Sequence, residues 1–350
     1  MKVGIIGGSG YVGGELLRLL IQHPEMEVVT TTSRVYAGEY IFRIHPNLRG
    51  FTDLKFSPMN LDTLAKETDL TFVALPHGSS VKIVPKLVEI GQKVIDLGAD
   101  FRLKDKEDYV KYYGWEHPTS GLLEEAAYGL PELNREEIKK AKIIAVPGCM
   151  STSAILGLAP AIKEGIIEEN RIVVDVKIGS SGAGAKPTRA SHHPERFGGV
   201  RCYKPIGHRH IAEIEQELGK FTSNPISISF SPHSVNMVRG ILSTIHTFSK
   251  KELETPHIWK TYRGMYGNEP FIRLVRDKKG LHRLPDPKNV IGTNFCDIGF
   301  EIDSHSNRLV IFSAIDNLTK GAASQAVQCL NITIGIDEET VLKTPSLHPA

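Results

Sequence analysis

Cysteine and tryptophan are scarce: 350 residues hold four Cys and two Trp. Cys149, Cys202, Cys296 and Cys329 lie far apart without a CxxC pair, which in a chain of this length argues against a disulfide scaffold and a cysteine-rich zinc site. An excess of one charge is also missing. Lys+Arg 42 against Asp+Glu 40 leaves a formal charge of +2, so the whole-chain basic footprint of a dedicated nucleic-acid binder is absent. No run approaches the roughly 18 apolar residues of a membrane span. The apolar stretch 3–6 ends in glycines, far short of a signal-peptide core. The expected location is the cytoplasm, with neither nucleic acid nor membrane as a partner. Internal repeats and low-complexity tracts are absent too.

What is present is a globular composition, 41% hydrophobic and 23% charged, long enough for two domains. In the first half, apolar runs at 3–6, 28–32, 70–75, 94–97 and 143–146 alternate with helical stretches such as 15–22 and 81–90. That rhythm predicts a parallel sheet with right-handed crossovers, a doubly wound Rossmann-type domain. Past Cys149 the pattern changes to strand-like runs at 171–178, 226–230, 238–246, 271–275, 294–302 and 309–314, with a helix at 250–266. This half reads as an α+β domain on a mixed or antiparallel sheet. A last helix is expected over about 318–330, capped by Asp316 or Asn317, and the tail 343–350 is expected to be loose.

Three segments carry chemistry. Gly8, Gly10 and Gly13 satisfy GxGxxG directly after the first apolar run and before a helix, the context in which a backbone turn approaches a pyrophosphate. Ser9, Tyr11 and Val12 belong to the same turn. About twenty residues on, where an acid would hold the ribose hydroxyl of NAD, stand Ser33 and Arg34, which suit the 2′-phosphate of NADP(H). Cys149 sits in Pro147-Gly148-Cys149 between an apolar run and a helix-like run, where the helix dipole favours thiolate. His208, Arg209 and His210 precede another helix-compatible run and could supply a general acid/base, with no local third ligand to make them a metal site. Between these segments, Ser181, Gly182 and Lys186 lie in a glycine-rich turn of anion-binding type, followed by His192, His193, Arg196, Arg201 and Lys204.

Over nearly its whole length the sequence resembles the N-acetyl-γ-glutamyl-phosphate reductase family of arginine and lysine biosynthesis. The motifs are GGSGYVG at Gly7, ALPHGSS at Ala74, DLGADFRL at Asp96, YGLPELN at Tyr128, PGCMST at Pro147, SSGAGAK at Ser180, GHRHIAEIEQEL at Gly207 and DNLTKGAASQA at Asp316. The resemblance implies NADPH-dependent reduction of an acyl phosphate through a thioester on Cys149. It makes His210 the acid/base with His208 as the alternative or as a substrate contact, and adds Arg102 to the substrate residues. It places Asn317 at the cofactor, at the start of a returning C-terminal helix. The implied domains are 1–148 plus about 317–350 for NADP and 149–316 for catalysis and assembly, in a homodimer or homotetramer.

Where the common SGAGRK of the family has arginine, this chain has Ala185, and the segment that follows looks like the LysW-dependent branch. There the glutamyl or aminoadipyl substrate rides on a small acidic carrier, and His192, His193, Arg196, Arg201 and Lys204 would form a basic rim to receive it. The competing readings are an ordinary reductase of the free N-acetyl substrate, an aspartate-semialdehyde dehydrogenase, a silent NADP-binding regulator and, on histidine count alone, a metal-dependent hydrolase.

Overall fold

The computed structural model describes residues 1–349. Strands β1 (Lys2–Ile6), β2 (Glu27–Thr32), β3 (Leu70–Val73), β4 (Lys93–Asp96), β5 (Ala126–Tyr128) and β6 (Ile143–Ala145) form one sheet in the order β2-β1-β3-β4-β6-β5, parallel throughout. β3 and β6 are buried at every residue, as expected of strands covered on both faces. β1 pairs with β2 on one side and β3 on the other, so the strand order reverses there. That reversal leaves a crevice beyond the carboxyl ends of β1 and β3, the usual ligand position in open α/β sheets. Helix α1 (Tyr11–Leu20) follows β1 and buries Leu16, Leu17, Leu19 and Leu20. β5 has no counterpart among the apolar runs; three residues are too short to show a period.

The second sheet has seven strands: β7 (Ile172–Ile178), β8 (Arg201–Cys202), β9 (Ile228–Ser234), β10 (Ile241–Phe248), β11 (Ile272–Leu274), β12 (Cys296–Asp303) and β13 (Arg308–Ile315), in the order β11-β12-β13-β10-β7-β9-β8. It is mixed, with β7–β9 and β11–β12 parallel and the remaining pairs antiparallel. Strict alternation of buried and half-buried residues along β10 marks one covered face. Helix α2 (Cys149–Lys163) lies on it, and the Ser153 hydroxyl is tied to Ser243 Oγ of β10 at 2.8 Å and to the Ser313 carbonyl of β13 at 3.1 Å. Tyr262 and Tyr266, from the helix Thr255–Tyr266, donate to the Gly157 and Leu156 carbonyls of α2 at 2.7 and 2.8 Å. Helix α3 (His210–Gly219) also packs on α2.

The chain divides into a unit of Met1–Pro147 with Ala322–Thr344 and a unit of Gly148–Gly321 with the tail from Pro345. Helix α4 (Ala323–Ile334) completes the first unit, where Cys329 Sγ meets the Gly129 carbonyl at 3.4 Å and His23 pairs with Asn331 at 2.9 Å. α4 starts later than the sequence suggests. Asp316 and Asn317 open a turn instead of a helix: the Asp316 carboxylate accepts from Leu318 N at 2.8 Å and its carbonyl from Gly321 N at 2.9 Å. The tail is tied by Ser346 Oγ, which donates to the Ile291 carbonyl at 3.0 Å. Among the described residues, no helix is long and apolar enough to cross a membrane, and no group of three or more His, Cys, Asp and Glu could hold a metal ion.

Candidate active site

In the first unit, the turn after β1 is pinned to β2, Gly8 N donating to the Thr32 carbonyl at 3.0 Å. Gly13 is where α1 crosses the turn: a Cβ there would stand 2.6 Å from both the Gly7 carbonyl oxygen and Gly8 Cα. Gly10 caps α1 with extended backbone, and the first turn has neither a side-chain cap nor an acidic residue. The helix N-terminus thus presents backbone amides with no protein carboxylate from its own first turn to meet them. Tyr11 is exposed and Val12 half-buried. His45 supports the loop from behind, donating from Nε2 to the Gly8 carbonyl at 2.8 Å, and burial pushes its pKa down although this bond pulls the other way. At the end of β2, the buried Ser33 hydroxyl bonds Ser9 Oγ at 2.9 Å and accepts from Tyr36 N at 3.2 Å, whereas Arg34 is exposed.

In the second unit, Cys149 is the first residue of α2, half-exposed, with Gly148 as its N-cap. The cap is completed from α3. Glu213, fully buried, takes the Gly148 N–H at 2.9 Å and the Ser151 hydroxyl at 3.0 Å on one carboxylate oxygen. Its other oxygen lies 3.8 Å from His210 Nε2. A Cβ on Gly148 would fall 2.4 Å from that same Nε2 and 2.9 Å from Glu213 Oε1, so the imidazole and carboxylate rest directly against the residue before the thiol. On another side, a Cβ on Gly321 would lie 2.6 Å from Cys149 Cβ. Thiol, imidazole and carboxylate are assembled by side-chain-free backbone.

The two histidines are not equivalent. His208 is buried, stacks on Phe230 at 5.0 Å and accepts the His210 backbone N–H on Nδ1 at 3.2 Å. Burial, with Arg209 and Lys204 nearby, pushes its pKa down to about 4. It is therefore a neutral ring near pH 7 whose Nδ1 accepts from the first residue of α3. Tyr203 faces the thiol turn, its hydroxyl 3.8 Å from Met150 Sδ, and burial followed by the nearness of Cys149 pushes its pKa up to about 12.

The remaining residues expected at the site divide into those presented outward and those turned into the fold. Gly182, Lys186, His192, His193, Arg201 and Lys204 are exposed. Arg196 is turned inward, donating to Ser234 Oγ and to the Val235 carbonyl at 3.2 Å, so it fastens the excursion to the end of β9 and is not part of an outward rim. Arg201 donates to the Glu195 carbonyl at 2.6 Å from an exposed position on β8. Ser181 is buried and accepts from Asn317 Nδ2 at 2.9 Å, while Asn317 Oδ1 accepts from Gly240 N at 2.8 Å. Asn317 thus locks two loops of the second unit together, in a turn and not at a helix start. Arg102, 5% exposed, donates to the Val146 carbonyl at 2.7 Å and the Leu97 carbonyl at 3.2 Å; these bonds hold the ends of β4 and β6.

Two family models match the chain: semialdehyde dehydrogenase, NAD binding domain, over residues 2–141, and semialdehyde dehydrogenase, dimerisation domain, over residues 149–317. A protein of Saccharolobus solfataricus named as a phosphate reductase of LysW-linked L-2-aminoadipate and L-glutamate is 50% identical, the alignment covering 100% of this chain and 99% of that one. One of Caldivirga maquilingensis, given the same name provisionally, is 56% identical over 99% and 98%. This chain belongs to the semialdehyde dehydrogenase family. Its fold is shared with aspartate semialdehyde dehydrogenase II of Vibrio cholerae, at a TM-score of 0.70 and 20% identity over 95% of this chain and 98% of that one.

The chain is accordingly an oxidoreductase that uses a nicotinamide dinucleotide, and its own residues fit that group. The glycine turn leaves at Gly13 a close approach that one methyl would fill. Glu213, Gly321, Tyr203 and His45 are parts of these two constellations that the sequence reading passed over. Only Glu213 leaves a local trace, three residues after His210 and so on the same face of its helix.

Proposed function

We propose that this enzyme reduces a γ-glutamyl or δ-aminoadipyl phosphate, carried on a small acidic protein of the LysW type, to the semialdehyde, with NADPH as reductant. The observation that carries the reading is the meeting of Cys149, His210 and Glu213 over Gly148. His210 takes the thiol proton; the Cys149 sulfur attacks the acyl carbon, the carbon–sulfur bond forms, and the bond to the phosphate oxygen breaks to release phosphate. A nicotinamide cofactor, when bound, would supply the hydride for reduction of the resulting thioester. The oxyanion then re-forms its carbonyl, the carbon–sulfur bond breaks, the aldehyde leaves, and the proton held on His210 returns to the Cys149 sulfur. Gly8, Ser9, Gly10, Tyr11, Val12 and Gly13 would hold the pyrophosphate, and Arg34 the 2′-phosphate that separates NADPH from NADH. Ser181, Gly182 and Lys186 would receive the substrate phosphate.

Carrier dependence rests on the relatives' names and on the exposed side chains of His192, His193, Arg201 and Lys204. Purified enzyme assayed on carrier-linked and free N-acetyl acyl phosphates at rising salt tests it. Turnover of the carrier-linked substrate falls steeply with salt, and Arg201→Ala with Lys204→Ala slows its association, while the small substrate responds weakly. Equal rates on both substrates, indifferent to salt, would return the enzyme to the ordinary N-acetyl class. A homodimer or homotetramer in the cytoplasm completes the proposal.

A further inference from the structure

The thiol turn contains one ionisable group for which reductive dephosphorylation gives no direct task. Glu213 is fully buried, contributed by α3, and its two oxygens do different things. Oε2 accepts both the Gly148 N–H and the Ser151 hydroxyl, and an oxygen receiving two donors suits the ionised carboxylate, which is acceptor only. Oε1 faces His210 Nε2 at 3.8 Å, too long for a hydrogen bond yet close enough for charge attraction. We propose that Glu213 is a positioning residue, clamping the first turn of α2 so that Cys149 faces its substrate and keeping His210 ready to hold a proton.

The clamp follows from where the donors are. Gly148 precedes the thiol and Ser151 is one helical turn along, so one carboxylate oxygen fixes both ends of the turn that aims Cys149. The effect on His210 follows from its surroundings. Besides Glu213, its ring is flanked by His208 at 4.7 Å and by Cys149 next to the Gly148 it touches; Arg209 precedes it in sequence, and β9 presents the ring of Phe230 at 6.3 Å. His208 carries no charge near pH 7, because burial and the nearby Arg209 and Lys204 disfavour its protonated form. Glu213 is thus the negative group in this set that lets a buried imidazole carry the proton removed from the thiol until it is returned to the sulfur. This role rests on the acyl-phosphate reading for its purpose but not for its measurement.

The test is the titration of His210, followed by NMR of ring-labelled histidine in the full chain and identified by the signal lost in His210→Asn. Glu213→Gln retains a hydrogen-bond acceptor but no charge. Its His210 midpoint should fall by about one pH unit, and kcat should drop about tenfold with KM within about twofold. Glu213→Asp, shorter but charged, should restore part of both. In a His210→Asn background, Glu213→Gln should then cost far less than it does alone. A midpoint that stays put in folded Glu213→Gln, or equal losses with and without His210, would overturn the proposal. Should Glu213→Gln fail to fold, the Glu213→Asp midpoint decides: the proposal requires it to lie measurably below the wild-type value, and an unchanged one overturns it. A shifted midpoint in a protein inactive on every acyl phosphate would instead remove the reductase reading and leave the coupling of Glu213 to His210 standing.

Discussion

The molecule uses the same local device twice, with opposite treatment of its positive end. In each unit, a strand runs into a glycine that caps a helix, with no side-chain cap and no acid in the first turn. At α1 the turn is held by the Thr32 carbonyl and the Thr32 and Ser33 hydroxyls of the β2 end, and His45 braces the loop through the Gly8 carbonyl. At α2 the amide of Gly148 is taken by Glu213 from another helix. A bare N-terminus is a place for a ligand's phosphate. A filled one is a mount, in which the protein's own anion sets the direction of the first side chain. The dipole argument that points to Cys149 in the sequence is therefore incomplete, because the positive end it invokes is shared with a buried carboxylate.

Three substitutions separate the two uses of the device. Cys149→Ser has the largest effect: reductase turnover should fall at least about a thousandfold, because the hydroxyl is a far weaker nucleophile, while NADPH binding by fluorescence titration stays within about twofold. Activity surviving there and vanishing in Cys202→Ser would make the exposed cysteine of β8 the nucleophile instead. Gly13→Ala strikes the other turn, forcing a methyl to 2.6 Å from the Gly7 oxygen. Affinity for NADPH and NADH should drop alike, by about ten- to a hundredfold, with Cys149 still alkylated at the wild-type rate. Arg34→Ala is the finest cut. KM for NADPH should rise about tenfold while KM for NADH barely moves, since only the former loses a charge-assisted phosphate contact. Equal changes for both cofactors would make Arg34 a bystander.

The parts legible in the sequence are those whose chemistry is local. A doubly wound sheet shows itself in alternating apolar runs and helices, and the glycine turn is recognisable because all its constraints fall within seven residues of chain. The position of Cys149 at a helix start is equally local. Illegible were the residues whose meaning depends on a distant partner. Glu213 acts on a glycine 65 positions earlier, His45 on one 37 positions earlier, and Tyr203 meets Met150 across 53. Choosing between His208 and His210 needs burial and the direction of each ring, which spacing does not contain. Arg196 and Arg201 look alike as cations, yet one is folded against β9 and the other faces outward. The start of α4 was missed because Asp316 suits a turn as well as a cap, and its hydrogen bonds to Leu318 and Gly321 select the turn.

The order in which the two units are finished during synthesis follows from the late position of α4. Its residues 323–334 emerge after all of 148–321, yet they belong to the unit whose sheet is made first. Until Asn331 reaches His23 and Cys329 reaches Gly129, the cofactor unit is an unfinished body waiting on the far end of the chain. The thiol unit has all its helices and strands in one stretch from Gly148 to Gly321 and waits only for the short tail from Pro345. On the ribosome the thiol unit is therefore expected to complete its secondary structure before the cofactor unit, against the usual N-terminal-first order. A nascent chain stalled at Gly321 would carry Cys149, His210 and Glu213 together while its dinucleotide-binding half still lacked a helix.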